Sequence, residues 1–368
     1  MAVSSYSSSL SWSDLLPELI EYVFHSLNDA KDILSCATVC SSWRYSSSSV
    51  YSRKFVPFLF VSHPSSADEE AQSSDGFRII SPENIIFSGN DQRWICGSTG
   101  EYLLTVNVSF PFEVNLQDPF TNNVVSLPPL ASFDDIQRLL QFQAISGALT
   151  LIKNFIKKAA SSTSLLDPDW VVLIIYDSDG GKLAFCRRGD KQWTGLESDH
   201  VDDIVFCSGV FFAMDRTGRI YQCELSPSDP KAVPICTASP FRYDPCKKYF
   251  AESDYNKLWV VLQKLDLSDD YDFSTYFEIY EFNSETQEWT MVRSLRGRAL
   301  FLSPRGRCIA VSAGETGSRG FIKDNSVYFI DGSLSVFEWE SKQIKKVCES
   351  RFCNYMFWVT PADVFQKK

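Results

Sequence analysis

The chain has 368 residues, 44% of them hydrophobic and 14% aromatic, and a formal net charge of −11. That length exceeds one typical domain and allows a large core, while the acidic balance disfavours non-specific binding to nucleic acid or anionic membranes. The longest apolar run, Trp170 to Tyr176, is too short to span a bilayer, and no cationic leader stands at the N-terminus, so a soluble, unprocessed protein is expected. Eleven cysteines, an odd number with no Cys-x-x-Cys pair, read as buried thiols in a reducing compartment.

The first organised stretch is Trp12 to Arg44. Leu16, Leu19, Ile20, Val23, Phe24 and Leu27 recur at helical spacing, and Pro17 can open that helix without wasting a backbone donor. Glu18 and Glu21 suit its positive end. Asp29 and Asp32 resemble a capping box and start a second helix carrying Ile33, Leu34 and Ala37. Val39, Cys40 and Trp43 form a third apolar cluster beside Arg44. Three short helices in so few residues rarely close a core of their own, so part of this surface is expected to meet something else.

With its Trp-Ser-Asp-Leu opening (Trp12 to Leu15) and Val-Cys-x-x-Trp-Arg close (Val39 to Arg44), the segment resembles an F-box of the plant type. The resemblance implies docking on a Skp-type adaptor, and through it on a cullin-RING ubiquitin ligase. Carried over by position, the adaptor contacts are Leu15, Leu16, Pro17, Ile20, Val39, Cys40 and Trp43. Pro17 sits one place later than the usual proline of that family. A helical cap on the following domain is the alternative reading.

Residues 56–75 include the Ser-, Ala- and acid-rich run Ser62 to Asp75 and are expected to form a linker. From Gly76 onward short apolar runs broken by Gly, Asn, Asp and Pro recur with little helix between them. Thirteen strand candidates follow: Ile85–Phe87, Tyr102–Val108, Phe112–Leu116, Trp170–Tyr176, Lys182–Cys186, Ile204–Phe206, Val210–Asp215, Ile220–Leu225, Leu258–Leu262, Tyr276–Phe282, Arg307–Val311, Val327–Ile330 and Leu334–Trp339. Ile279 to Trp289 and Leu183 to Trp193 share one pattern, a strand, a polar turn, then a Trp opening the next strand. The irregular repeat suits a β-propeller of six or seven blades, with a β-sandwich as the alternative. The fold is thus α+β by segment, an F-box over 10–55 and an all-β domain over 76–360.

Lys182 to Thr194, Asp203 to Leu225 and Asn325 to Trp339 resemble the C-terminal, propeller-like domain of a large plant F-box group that includes the KIB proteins. Phe155 to Ser162 fits that pattern as a strand, although Ile152, Phe155 and Ile156 could share a helix face. Nothing in the chain points to catalysis, a cofactor or a metal. The three histidines, His25, His63 and His200, stand at no metal-ligand spacing. Cys36 with Cys40, and Cys348 with Cys353, lack further ligands; Gly314 to Gly320 lacks the P-loop ending; the acidic run from Asp266 to Phe273 lacks the glycine and terminal glutamate of a calcium loop.

The combined expectation is a non-catalytic substrate receptor, cytoplasmic or nuclear, that brings an unidentified protein to a ubiquitin ligase by proximity. An adaptor-binding scaffold or decoy, or a small-molecule or sugar-binding propeller, are the rivals. Kelch-like target recognition falls to loop residues, for which Arg187, Arg188, Arg216, Arg319 and Phe321 are the candidates.

Overall fold

The computed structural model describes residues 12–27, 36, 39–40, 42–43, 46, 58–62, 76–80, 85–90, 94–118, 123–142, 145–162, 167–177, 181–198, 200–236, 239–241, 244, 246–252, 257–267, 273–312, 322–331, 333–349 and 356–360. The chain divides into two compact units, Met1–Phe55 with short pieces at 315–318 and 363–368, and Val56–Gly314 with Arg319–Ala362. In the smaller unit a 3-10 turn, Trp12–Asp14, precedes helix α1, Pro17–Ser26. Pro17 occupies the first turn, where its missing N–H costs nothing, and Glu18 faces the positive end. Cys36, Ser42, Trp43 and Ser46 are also helical, whereas Ile33, Leu34, Ala37 and Arg44 lie outside the described residues.

The larger unit is a series of antiparallel meanders. Strands β1 (Phe58–Ser62), β2 (Gly76–Ile80) and β3 (Ile85–Asn90) begin it. Because β1 falls inside 56–75, that stretch is not wholly the linker expected of it. The second sheet holds β4 (Trp94–Ser98), β5 (Leu103–Val106), β6 (Val114–Gln117) and β7 (Val124–Leu127). Phe112, expected to open β6, has a φ of 58° and turns the chain before the strand begins. Two helices follow, α2 (Asp134–Phe142) and α3 (Ile145–Phe155), correcting the expectation of little helix beyond Gly76. Phe133 explains them: its ring lies 5.2 Å from Phe155, 4.5 Å from Tyr176 and 6.0 Å from Trp193, an aromatic cluster that gives the helices a buried face.

The chain changes from helix to strand between Phe155 and Ile156, so both readings of that stretch hold, each for its own half. The third sheet comprises β8 (Ile156–Ser161), β9 (Val171–Tyr176), β10 (Lys182–Arg187) and β11 (Thr194–Leu196). The fourth comprises β12 (Val201–Cys207), β13 (Val210–Asp215), β14 (Ile220–Glu224) and β15 (Lys231–Cys236). The fifth comprises β16 (Lys247–Glu252), β17 (Leu258–Leu267), β18 (Phe273–Asn283) and β19 (Glu288–Met291). The sixth has five strands, β20 (Arg298–Phe301), β21 (Ile309–Ser312), β22 (Ser326–Ile330), β23 (Ser333–Glu338) and β24 (Ile344–Glu349), with β20 and β22 parallel.

The last strand, β25 (Met356–Val359), returns to the first sheet and pairs with β1, so strands from the two ends of the chain close the structure. Strands β25, β4, β8, β12, β16 and β21 each lie at an edge of their sheet and touch one another in that order. Met356 and Trp358 of β25 pack with Phe301, Ile309 and Val311 of the sixth sheet, completing the circle. Among the described residues, six sheets in a ring, with apolar clusters joining the third to the fourth, the fourth to the fifth, the fifth to the sixth and the sixth to the first, form a β-propeller.

Two devices join the sheets. Indole N–H groups reach the neighbouring segment: Trp193 donates to the Pro128 carbonyl at 2.8 Å, Trp289 to Cys236 Sγ at 3.2 Å, and Trp358 to the Leu302 carbonyl at 3.0 Å. The repeated turn-then-Trp pattern therefore has a structural cause, since a mostly buried indole must place its donor. At the centre, Lys158 of β8 is ion-paired with Asp203 of β12, both almost fully buried. The other Asp203 oxygen accepts the Phe250 amide of β16 at 2.7 Å, so one carboxylate joins three successive inner strands.

Candidate functional site

On α1 the apolar stripe divides into two faces. Ile20 and Phe24, one turn apart, have no exposed surface, and Trp43 is 4% exposed. The Trp43 ring meets Phe24 edge-on at 5.6 Å and Trp12 at 6.2 Å, and its indole donates to the Trp12 carbonyl at 2.8 Å. These contacts make a small aromatic core that ties the turn before α1 to the helical residues around Trp43. Leu19 and Tyr22 lie on another side of the helix at 50 and 75% exposure, Leu16, the extended residue that caps it, is 63% exposed, and Trp12 and Val39 are exposed at 69 and 54%. Single exposed apolar residues are ordinary; Leu19 and Tyr22 on one short helix, with Leu16 at its cap, make an exposed apolar group.

In the propeller a cavity of about 350 Å³ opens beside the fifth sheet. Trp259, Glu281 and Thr290 are cross-strand neighbours on β17, β18 and β19 and form one wall. Arg293 and Arg296, on the connection to β20, and Arg298, the first residue of that strand, form another, and Lys257 stands just before β17. Glu281 accepts from Lys257 Nζ at 2.6 Å and from the Trp259 indole at 3.1 Å. Burial works to raise its pKa, but those two hydrogen bonds, with the Lys257 and Arg296 charges, outweigh it and hold the carboxyl below its ordinary value. Among the described residues no group of three His, Cys, Asp or Glu side chains has the arrangement of a metal site.

An F-box-like family model matches residues 12–56, and a KIB1-4 beta-propeller family model matches residues 72–348. The chain belongs to the F-box proteins with a KIB1-4 β-propeller. It is similar to the Arabidopsis thaliana F-box protein At5g55150, at 65% identity over 97% of this chain and 99% of the relative. More distant Arabidopsis thaliana relatives are F-box protein At2g26160, at 25% identity over 87% and 95% of the two chains, and F-box protein SKIP23, at 24% over 95% and 94%.

Within the F-box the structure sorts the residues expected to meet an adaptor. Leu16, Pro17 and Val39 are exposed, Leu15 and Cys40 are half-buried, and Ile20 and Trp43 belong to the interior. The helical repeat gave no means of telling Ile20 from Leu19, and Leu19 and Tyr22 complete the exposed apolar group.

The propeller candidates do not converge. Arg187 lies over the Phe185 ring, 4.8 Å from its centroid, and donates to the Leu225 carbonyl, so it fastens the third sheet to the fourth. Arg188, in the turn after β10, is exposed. Arg216, in the turn after β13, pairs with Asp202 at 3.3 Å. The two sheets run in the same sense, as the parallel bridge between Glu197 and Lys231 shows. The turn between third and fourth strands and the turn between second and third strands therefore open on opposite rims, which separates Arg188 from Arg216. Arg319 and Phe321 lie outside the described residues.

Proposed function

We propose that this F-box protein is a substrate-recognition subunit of an SCF-type ubiquitin ligase. The F-box docks on a Skp-type adaptor through Leu16, Leu19, Tyr22 and Val39, with Trp12 and Pro17 at the margin, and the propeller holds a target protein. The observation that carries the reading is the exposed apolar group of Leu16, Leu19 and Tyr22 at the start of α1, beside the buried Ile20–Phe24–Trp43 interior. The protein itself performs no bond chemistry. It raises the effective concentration of a target lysine near a ubiquitin-charged enzyme, and the reacting groups belong to other subunits.

Co-expression with a Skp-type adaptor and a cullin tests this. The intact chain should retain the adaptor and, through it, the cullin. Burying one leucine is worth about 1.5–3 kcal/mol, so replacing two exposed leucines in L16E/L19E should weaken adaptor binding by at least about 100-fold while the propeller's thermal midpoint stays unchanged. Full adaptor binding by L16E/L19E would refute the docking face. Adaptor binding without cullin recruitment would favour the scaffold or decoy.

A further inference from the structure

We infer that the cavity beside the fifth sheet is the propeller's target-recognition pocket, and that it takes an acidic side chain, a carboxylate or a phosphorylated hydroxyl, on an extended segment of the partner protein. The inference rests on the receptor reading and supplies the chemical class of its target. Its first support is charge: in a chain of net charge −11, the described lining of this cavity gathers Lys257, Arg293, Arg296 and Arg298, and among the described residues Glu281 is its one carboxylate. That carboxylate is already engaged by Lys257 and the Trp259 indole. Arg293 and Arg296 are exposed and, among the described residues, stand in no close ion pair, although the Arg296 charge also acts on Glu281. Their planar donor forks match carboxylate and phosphate oxygens.

The second support is rigidity. The connection carrying these arginines is pinned along its backbone: the Trp339 indole donates to the Arg293 carbonyl at 3.0 Å, Leu295 is fully buried, the Gly297 amide donates to Asn325 Oδ1 at 2.9 Å, and the Arg298 amide to the Leu295 carbonyl at 3.1 Å. Arg296 sits at a φ of 54°, a conformation this framework holds in place. A fixed backbone presenting two outward guanidinium groups loses little entropy on binding. The buried Arg298 guanidinium lies over the Trp259 ring, 5.9 Å from its centroid, and both residues line the same cavity. A cavity of about 350 Å³ is at the lower end of the range for small-ligand sites and suits one side chain with its flanking backbone, not a folded domain.

The test uses the full chain co-expressed with the adaptor and three labelled nonapeptide pools whose fixed central residue is phosphoserine, glutamate or glutamine. By fluorescence anisotropy at low salt, the phosphoserine or the glutamate pool should bind at least about tenfold more tightly than the glutamine pool, and the better of the two names the source of the anion. R293Q/R296Q should abolish that preference, R188Q/R216Q should keep it, and added salt should weaken it in the intact protein. Equal binding of all three pools, or a preference that survives R293Q/R296Q, overturns the inference. So does competition by inorganic phosphate as strong as that of the peptides, which would make this a free-anion site. Adaptor retention by R293Q/R296Q, measured in parallel, separates failure of the pocket from failure of the receptor reading.

Discussion

Replacing Asp203 with alanine removes the carboxylate shared by three inner strands. One oxygen accepts from Lys158 and from the Ile204 amide at 2.7 Å, the other from the Phe250 amide at 2.7 Å. Breaking a buried pair by deleting one member costs about 3–5 kcal/mol, because the surviving charge is left uncompensated. An orphaned amide contributes about 1–3 kcal/mol of its own, partly counted in that figure. Taking roughly 4 kcal/mol and about 2 °C per kcal/mol for a domain of this size, Asp203→Ala should lower the thermal midpoint by about 8 °C. Tryptophan fluorescence is the assay. Lys158→Met provides a second, independent signature. Burial raises the Asp203 pKa, and Lys158 is the largest influence opposing it. Without that lysine the folded protein binds a proton at a pH where the unfolded chain does not, so folding gains stability as the pH falls. The deficit of Lys158→Met relative to the intact chain should therefore shrink on acidification, and that of Asp203→Ala, which has no carboxyl to protonate, should not. A midpoint shift under about 2 °C for Asp203→Ala, or a deficit in Lys158→Met that ignores pH, would show that the pair does not hold the inner strands together.

Trp43→Ala should act on the F-box through folding. Truncating a buried aromatic costs about 3–5 kcal/mol, so far-UV circular dichroism of the helical unit should fall together with adaptor binding, whereas L16E/L19E should lose binding with its helix signal intact. Normal helix content in Trp43→Ala with binding lost would return Trp43 to the contact surface. Glu338 accepts from Lys323, Lys345 and Ser341, which hold its carboxyl down at about 2. A depressed carboxylate stabilises the fold fully above its unfolded pKa and loses that contribution as the pH falls toward the folded value. The intact chain should therefore lose its stability advantage over Glu338→Gln between pH of about 4.5 and about 2. An advantage that stays constant across that window counts against the network.

What could be read in the sequence follows the physics of each element. Strands such as Val210–Asp215 declare themselves because both faces are buried between sheets and the apolar run is unbroken. Others were hidden by composition. Trp94–Ser98 ends in Gly-Ser yet is buried throughout, and Arg298–Phe301 opens on an arginine that the fold buries against Trp259. β1 and β25 pair across the whole length of the chain, a relation that no local pattern encodes. Nor is the packing of helices α2 and α3 local: Phe133 just before α2 and Phe155 at the end of α3 pack on Tyr176, and Phe133 on Trp193, residues that come later in the chain.

The binding surfaces were legible only as residue types. On α1 the period of 3.6 announces an apolar helix but not which apolar residues another element covers. Ile20 and Leu19 are adjacent and equally hydrophobic, yet Ile20 is fully buried and Leu19 half exposed, because the aromatic core of Phe24 and Trp43 lies on one side. In the propeller, residue type alone marks Arg187, whose charge is spent on the Leu225 carbonyl, as readily as Arg293 and Arg296. The signal that could have found them is the run Arg293-Ser-Leu-Arg-Gly-Arg298 directly after a Trp-opened strand, three cations around a buried leucine and a glycine at a φ of 77°. A lone arginine after a strand is usually solvated or structural. Arg293 and Arg296 stand exposed on a connection whose glycine and leucine fix its path, and it is that fixed path, held by Trp339 and Asn325 from the next sheet, that turns residue type into a surface.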